Sequence, residues 1–434
     1  MHSRVVIVGT VPYNRQTTAR AFESYFSNWE KENLVQIFSD AREPLKGHCS
    51  SFFQITDKRM LERHFRKSTQ TGRIYWDEEL KTEWEGTTEK ANSGIISKLY
   101  KMGSKKFPLN YILRGLLWRK KYWCTDELEQ WLDKFKPECV FLAFSDDYFI
   151  PRIALHIAKK YNIPIVSCIG DDYYFNNRFS ISPFYYLYRK TYKHLIDKVF
   201  MHGGSAAYIG NKIRDKYNSE FGLNGETVYL SSEMERHVFR EIDVENPYIS
   251  YCGNIRLGRN DSLNIVADVL GKINRQYKLH VFSNESDKQF YKKLMKNPNI
   301  EFHGRVPYSE VKEIMNKSDI VVVVEGFDSK DVLITKYSLS TKVADALATG
   351  SNIIAFGSLD CGAIEYMKEI DCGLVSSDVK DLETGLRQLL QDVDYQKRCY
   401  DKCIDVTETN HRLDKSNGVF EGVVARTVAE YGRK

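Results

Sequence analysis

Short β-branched, apolar runs alternate with stretches of helical periodicity along nearly the whole chain, an order that calls for a parallel sheet with crossover helices. In the first half, strands are expected at 5–8, 35–38, 140–144, 165–168, 199–201 and 227–230. Helices are expected near 17–31, 57–67, 108–121, 126–135, 149–161, 181–196 and 204–217. After the mixed-charge stretch SSEMERHVFREIDVENP the alternation restarts with YISYCG, a helix from about Leu263, then KLHVFS, NIEFHG, DIVVVV, NIIAFG and CGLVSS. Pro247 precedes that new first strand and would be poorly tolerated inside a central one, so a boundary is expected near 235–247. At 434 residues the chain is long enough for more than one core. The expected architecture is α/β, with two Rossmann-like, doubly wound domains facing across a cleft. They cover 1–240 and 247–410, and a terminal helix over 411–434 returns toward the first.

Apolar residues at 42% and charged residues at 28% are what a chain folded throughout requires. The opening apolar run is too short for a signal peptide and no later window suits a membrane span, so a cytoplasmic protein is expected. Nine cysteines, an odd number without a CxxC pair or zinc-type spacing, read as reduced thiols, and no metal is expected. The net charge of +5 is modest, yet Lys98 to Trp123 carries eight basic residues and no acid. With Trp118 and Trp123 at an interface, residues 98–123 suit peripheral contact with the inner face of a membrane; the alternative is a solvated amphipathic helix. No nucleic-acid reader motif accompanies the charge, so nucleic acid is not an expected partner.

Open α/β sheets bind ligands just beyond the carboxyl ends of their strands, so the loops there are the places to look. The first, Gly9 to Thr18, lacks GxGxxG, which removes the dinucleotide fingerprint of a dehydrogenase. Its Tyr13, Asn14 and Arg15 are candidate acceptor contacts, unless the loop is an ordinary one capped by Thr17 or Thr18. Two further loops carry paired acids, Asp146-Asp147 and Asp171-Asp172. Acids there can serve as general base or position a hydroxyl, or they can simply cap helices. A helix follows Asp146-Asp147, which favours capping; none follows Asp171 and Asp172 directly, and these two are the catalytic candidates.

The densest block runs YCGNIRLGRNDSLNIVADVL, EFHGRVPYSEVKEIMNKSDIVVVVEGFD and YSLSTKVADALATGSNIIAFGSLDCGAIEYMKEIDCGLV. It resembles the donor-binding domain of a GT-B glycosyltransferase and is similar to the family-4 type group that builds bacterial surface polysaccharides. The likeness is specific over about 250–376 and only architectural before that. It implies that Gly253 and Asn254 form the loop that receives the donor diphosphate, with Arg259 as its cation. Where the family often adds a lysine, this chain has Asn260 and Asp261, and Arg256 or Lys342 is expected to compensate. The loop His303 to Pro307, with Arg305 and Val306, matches the one that reads the nucleobase, although a simple turn would look the same. Asp345 falls on the acid that accepts from the ribose hydroxyls. Tyr337, eight residues earlier, stands where the family has a second acid, so the usual contact to the sugar ring is in question. Ser340, Thr341 and Lys342 open a helix whose start favours phosphate, and Glu325 ends a strand facing the same end.

The resemblance therefore implies transfer of a sugar from a nucleotide-sugar donor, a UDP-sugar, to a glycan or lipid-linked acceptor in cell-surface polysaccharide synthesis. Arg259 and Lys342 would take up the charge of the leaving diphosphate, with no cofactor and no obligatory metal. A nucleotide-sugar epimerase and a non-catalytic accessory subunit of a transferase complex are the competing readings.

Overall fold

A computed structural model of the chain describes residues 2–12, 19–82 and 107–433. The chain forms two compact units, Met1–Val228 with Asn417–Lys434, and Tyr229–Ser416. Each is built on its own sheet with helices, and the fold is α/β.

The first unit holds eight strands in the order β4-β3-β2-β1-β5-β6-β7-β8. They are β1 (Val5–Val8), β2 (Leu34–Phe38), β3 (Ser51–Ile55), β4 (Gly72–Trp76), β5 (Cys139–Ala143), β6 (Ile165–Ile169), β7 (Gly204–Tyr208) and β8 (Glu226–Thr227). All pairs are parallel except β3 with β4. Every residue of β1 and β2 is buried, which is what a parallel sheet covered on both faces demands. Flanking helices start on side-chain caps: Thr56 accepts from Arg59 N and Thr125 from Leu128 N. The last helix, Leu413–Tyr431, joins this core through Phe420, whose ring meets Phe26, Trp29 and Phe141. Asn417 Nδ2 donates to Glu23 O at 2.9 Å.

Three readings of this half need correction. The apolar run 199–201 is not a strand but the final turn of the helix Pro183–His202, whose period it continues until Gly203, with φ of 102°, ends it. The strand lies instead at 204–208, where a helix was expected to begin, and the helix is confined to Asn211–Phe221. Gly204 permits this: a Cβ there would sit 1.9 Å from Ile165 O in the neighbouring strand. The antiparallel edge β3–β4 was not expected at all. Finally, Trp118 and Trp123 are 1% and 2% exposed. Trp118 stacks on Phe149 with centroids 3.9 Å apart and donates from Nε1 to Asp57 Oδ1 at 2.6 Å. Neither indole is free for a membrane interface. The helix Pro108–Leu117 turns Leu109, Leu113 and Leu116 outward instead, followed by exposed Arg119, Lys120 and Lys121. Residues 98–106 of the basic stretch lie outside the described residues.

The second unit has six parallel strands in the order β11-β10-β9-β12-β13-β14. They are β9 (Ile249–Cys252), β10 (Leu279–Phe282), β11 (Ile300–Gly304), β12 (Ile320–Val324), β13 (Asn352–Phe356) and β14 (Leu374–Ser376). The helix Arg259–Ile273 begins four residues before Leu263, because its first turn is polar and shows no apolar period. Residues 229–240, read from the sequence with the first domain, belong to this unit. Arg240 Nη2 donates to the carbonyls of Asn316 and Ser318 at 3.0 and 2.8 Å, and His237 N to Thr349 O at 3.1 Å.

Candidate functional site

In the second unit β9 pairs with β10 on one side and β12 on the other, so the strand order reverses between β9 and β12. Ligands of open α/β sheets bind beyond the carboxyl ends of strands at such a switch point. The loops leaving β9 and β12 meet there backbone to backbone. A Cβ on Gly326 would lie 2.4 Å from Leu257 O, and one on Gly258 would lie 2.9 Å from Gly326 Cα. Leu257 and Gly258 both have positive φ, which folds the loop back before the helix Arg259–Ile273 starts.

Three charged groups gather at this end. Arg259 Nε and Nη2 donate to Glu325 Oε2 and Oε1 at 3.0 and 2.9 Å, and the Glu325 side chain is 3% exposed. Ser262 Oγ donates to Glu325 O at 2.6 Å and fixes the residue after β12. The third group is Lys342, in the first turn of the helix Thr341–Thr349, which Ser340 caps by accepting from Lys342 N at 3.4 Å. Its side chain lies across Gly253: a Cβ there would come 2.2 Å from Lys342 Cε and 2.3 Å from Nζ. Nζ also sits 5.9 Å from the Tyr251 ring centroid. The Tyr251 hydroxyl is turned away, donating to Asn254 O at 2.5 Å. Among the described residues the Lys342 ammonium has no hydrogen-bond or ion-pair partner. Burial, with Arg259 nearby, brings its pKa down to about 8. Asp345, one turn further on, is buried and accepts from Ser232 Oγ at 2.8 Å. An unpaired cation over a glycine, next to a helix start, is an arrangement that receives an anion.

The structure thus places Gly253, Asn254, Arg259, Glu325, Ser340, Thr341, Lys342 and Asp345 at or just beyond the ends of β9 and β12 and in the helix Thr341–Thr349. It does not leave Arg259 a free cation, since two of its donors are held by Glu325. Arg305 and Val306 follow the edge strand β11; Arg305 is exposed, and the loop is tied to the end of β10 by Ser283 N to Gly304 O at 2.8 Å. Sequence reasoning missed Tyr251, Ser262 and Ser232. Ser232 stands 113 residues from Asp345, and nothing in the sequence pairs them.

The acids of the first unit separate. Asp172 is buried, and its Oδ1 accepts from Tyr174 N, Phe175 N and the Tyr217 hydroxyl at 3.0, 2.8 and 2.8 Å. That carboxylate shapes its own loop. Asp171 is exposed. Asp147 is paired with Arg114, and burial nevertheless pushes it up to about 6; Asp146 accepts from the Tyr111 hydroxyl at 2.8 Å. Tyr13, Asn14 and Arg15 lie outside the described residues.

Residues 235–404 match the family model Glycosyl transferases group 1, a span that contains Gly253, Arg259, Glu325, Lys342 and Asp345 but not Ser232. Solved structures resemble the whole chain. Anabaena HepE in complex with UDP superposes with a TM-score of 0.58 at 10% identity, covering 98% of this chain and 100% of that one. The sucrose-phosphate synthase of Thermosynechococcus elongatus gives 0.57 at 9%, covering 99% and 98%. An S. aureus TarM variant in complex with fondaparinux, α-GlcNAc-glycerol and UDP gives 0.55 at 11%, covering 98% and 100%. This is the GT-B fold. The matched domain and the fold together support a GT-B glycosyltransferase. No curated protein matches the sequence. No helix among the described residues is long and apolar enough to cross a membrane.

Proposed function

We propose that this chain is a hexosyltransferase that moves a sugar from a UDP-sugar to a glycan or lipid-linked glycan acceptor in cell-surface polysaccharide synthesis. The observation that carries the reading is Lys342, an unpaired ammonium lying across Gly253 at the switch point. As the bond from the anomeric carbon to the diphosphate breaks, negative charge builds on the leaving oxygens, and preorganised cations there are worth more than in water. Lys342 and the remaining donors of Arg259 take that role, so that protein cations rather than a bound metal neutralise the leaving group. Asp345 accepts from ribose hydroxyls, and the backbone around Arg305 and Val306 receives the base. In the first unit Asp171, with Tyr13, Asn14 and Arg15, is assigned to the acceptor, whose hydroxyl passes its proton to the Asp171 carboxylate as its oxygen bonds the anomeric carbon and the bond to the diphosphate breaks.

Structures of the same fold hold UDP, and one holds UDP-glucose, which favours uridine over other bases. A lipid-linked acceptor is favoured by the outward leucines of the helix Pro108–Leu117 beside Arg119, Lys120 and Lys121, a surface suited to an anionic leaflet. Nucleotide release from UDP-, GDP- and CMP-sugars, with and without glycan or lipid-linked acceptors, tests the reading. Acceptor-dependent release that collapses in Lys342→Ala is expected. Conversion of donor without acceptor would make the chain an epimerase, and nucleotide binding without turnover would make it an accessory subunit.

A further inference from the structure

A second cluster of ligand-type side chains lies on β10 and β11 of the second unit, on the strands that lead into the loop of Arg305 and Val306 and apart from Arg259, Glu325 and Lys342. Glu301 and His303 are two residues apart on β11 and so share a face, and the register sets His280 of β10 opposite Glu301. Between Val281 and Phe282 the register slips, pairing Phe282 with Gly304 and leaving His303 as the extra residue of β11. His280 Nδ1 then lies 3.0 Å from His303 Nε2 and 3.3 Å from Glu301 Oε2, with His303 Nε2 3.9 Å from the same oxygen. Neighbouring rings hold both imidazoles in place. Tyr248 stacks on His280 at 4.5 Å and 20°, and Phe282 on His303 at 4.5 Å and 10°.

We propose that His280, Glu301 and His303 form a binding site for a transition-metal dication of the zinc type. Two imidazoles and a carboxylate are the donors such ions take, and bond lengths near 2.0–2.1 Å put tetrahedral ligand atoms about 3.3 Å apart. The three separations above bracket that value. The donors sit on strands rather than loops, and partial exposure, 17%, 49% and 37% for the three side chains, leaves the remaining coordination positions to water. Among the described residues no lysine or arginine pairs with Glu301. That separates this cluster from Cys124, Glu129 and His156 in the first unit, whose carboxylate is already taken by Lys160.

The full chain, stripped with EDTA, would be titrated with ZnCl2 by calorimetry, and with Co2+ followed by visible absorption. Saturable binding of a single ion per chain, without a thiolate charge-transfer band, is expected. Affinity should fall at least about tenfold in His303→Gln and in Glu301→Gln, since even an outer partner of a metal ligand is worth that much. Cys124→Ser should leave it unchanged. Circular dichroism of the metal-free variants establishes that they are folded. Absence of saturable binding, binding that survives both substitutions, or binding abolished by Cys124→Ser would overturn the assignment.

Discussion

Arg259 and Glu325 meet edge to edge, two guanidinium nitrogens on two carboxylate oxygens at 3.0 and 2.9 Å, across 66 residues of chain. The fork fits a carboxylate as it would fit a phosphate, so the same geometry that orients Arg259 also holds part of its charge. Because Glu325 is buried, removing its partner leaves an uncompensated charge, a loss of about 3 kcal/mol or more. Arg259→Ala is therefore expected to lower the melting temperature by roughly 6–12 °C, taking a unit of this size at 2–4 °C per kcal/mol. Glu325→Gln, which keeps one hydrogen bond and frees the guanidinium, should lose less. Equal melting temperatures for Arg259→Ala and wild type in a thermal scan would show that the pair carries no stability.

Lys342 gives the site a pH dependence of definite sign. Burial first, and Arg259 second, lower it to about 8 from 10.5. Between those values the unfolded chain binds the extra proton, so stability rises with pH there. The cost of keeping the ammonium in the fold is complete below pH 8 and gone above 10.5. Lys342→Met should raise the melting temperature at pH 7, and the gain should vanish by pH 10.5. Donor affinity should run the other way, weakening in the wild type as pH rises through about 8, with a flat profile in Lys342→Met. A wild-type profile that is equally flat would separate Lys342 from the diphosphate.

The second sheet was legible because its central strands β9, β12 and β13 are compact apolar runs set off by polar segments, and burial on both faces writes those runs into the sequence. The first was harder. Strand β7 reads GSAAY, with little β propensity, and exists because Gly204 lets it close against β6, whereas the more apolar residues 199–201 finish a helix. The site followed the same division. Gly253, Lys342 and Asp345 sit in local patterns of strand, loop and helix start. The pairing of Arg259 with Glu325, and of Ser232 with Asp345, depends on which strands become neighbours, and no local window carries that. Trp118 and Trp123 show the converse error: a basic, aromatic stretch looks like a surface until packing decides which of its side chains turn inward.

Asp171 and Asp172 are adjacent in sequence and are expected to behave differently. Asp172→Ala removes the acceptor for two backbone N–H groups and leaves the buried Tyr217 hydroxyl without it, each such group costing about 1–3 kcal/mol. Its signature is a lower melting temperature together with loss of activity. Asp171→Asn should leave the stability within about 0.5 kcal/mol of wild type while slowing only the acceptor-dependent reaction, with donor affinity intact. Measuring UDP affinity, melting temperature and transfer rate on both variants separates the two. Normal transfer by Asp171→Asn would remove it from the chemistry.

Trp118 and Leu113 divide structure from surface on one short stretch of chain. Trp118 is 1% exposed, stacked on Phe149 and bonded to Asp57, so Trp118→Ala should cost about 3–5 kcal/mol. Leu113 and Leu116 are 52% and 49% exposed, and replacing both by Glu should leave stability nearly unchanged. Cosedimentation with vesicles containing phosphatidylglycerol should then fall for Leu113→Glu/Leu116→Glu, and also for Lys120→Glu/Lys121→Glu, each basic residue near an anionic surface being worth about 1 kcal/mol. The wild-type interaction should weaken as salt rises, because the headgroup attraction is screened within a Debye length. Equal sedimentation of wild type and both double variants would mean that this face does not meet the membrane, and the acceptor would then have to be sought among soluble glycans.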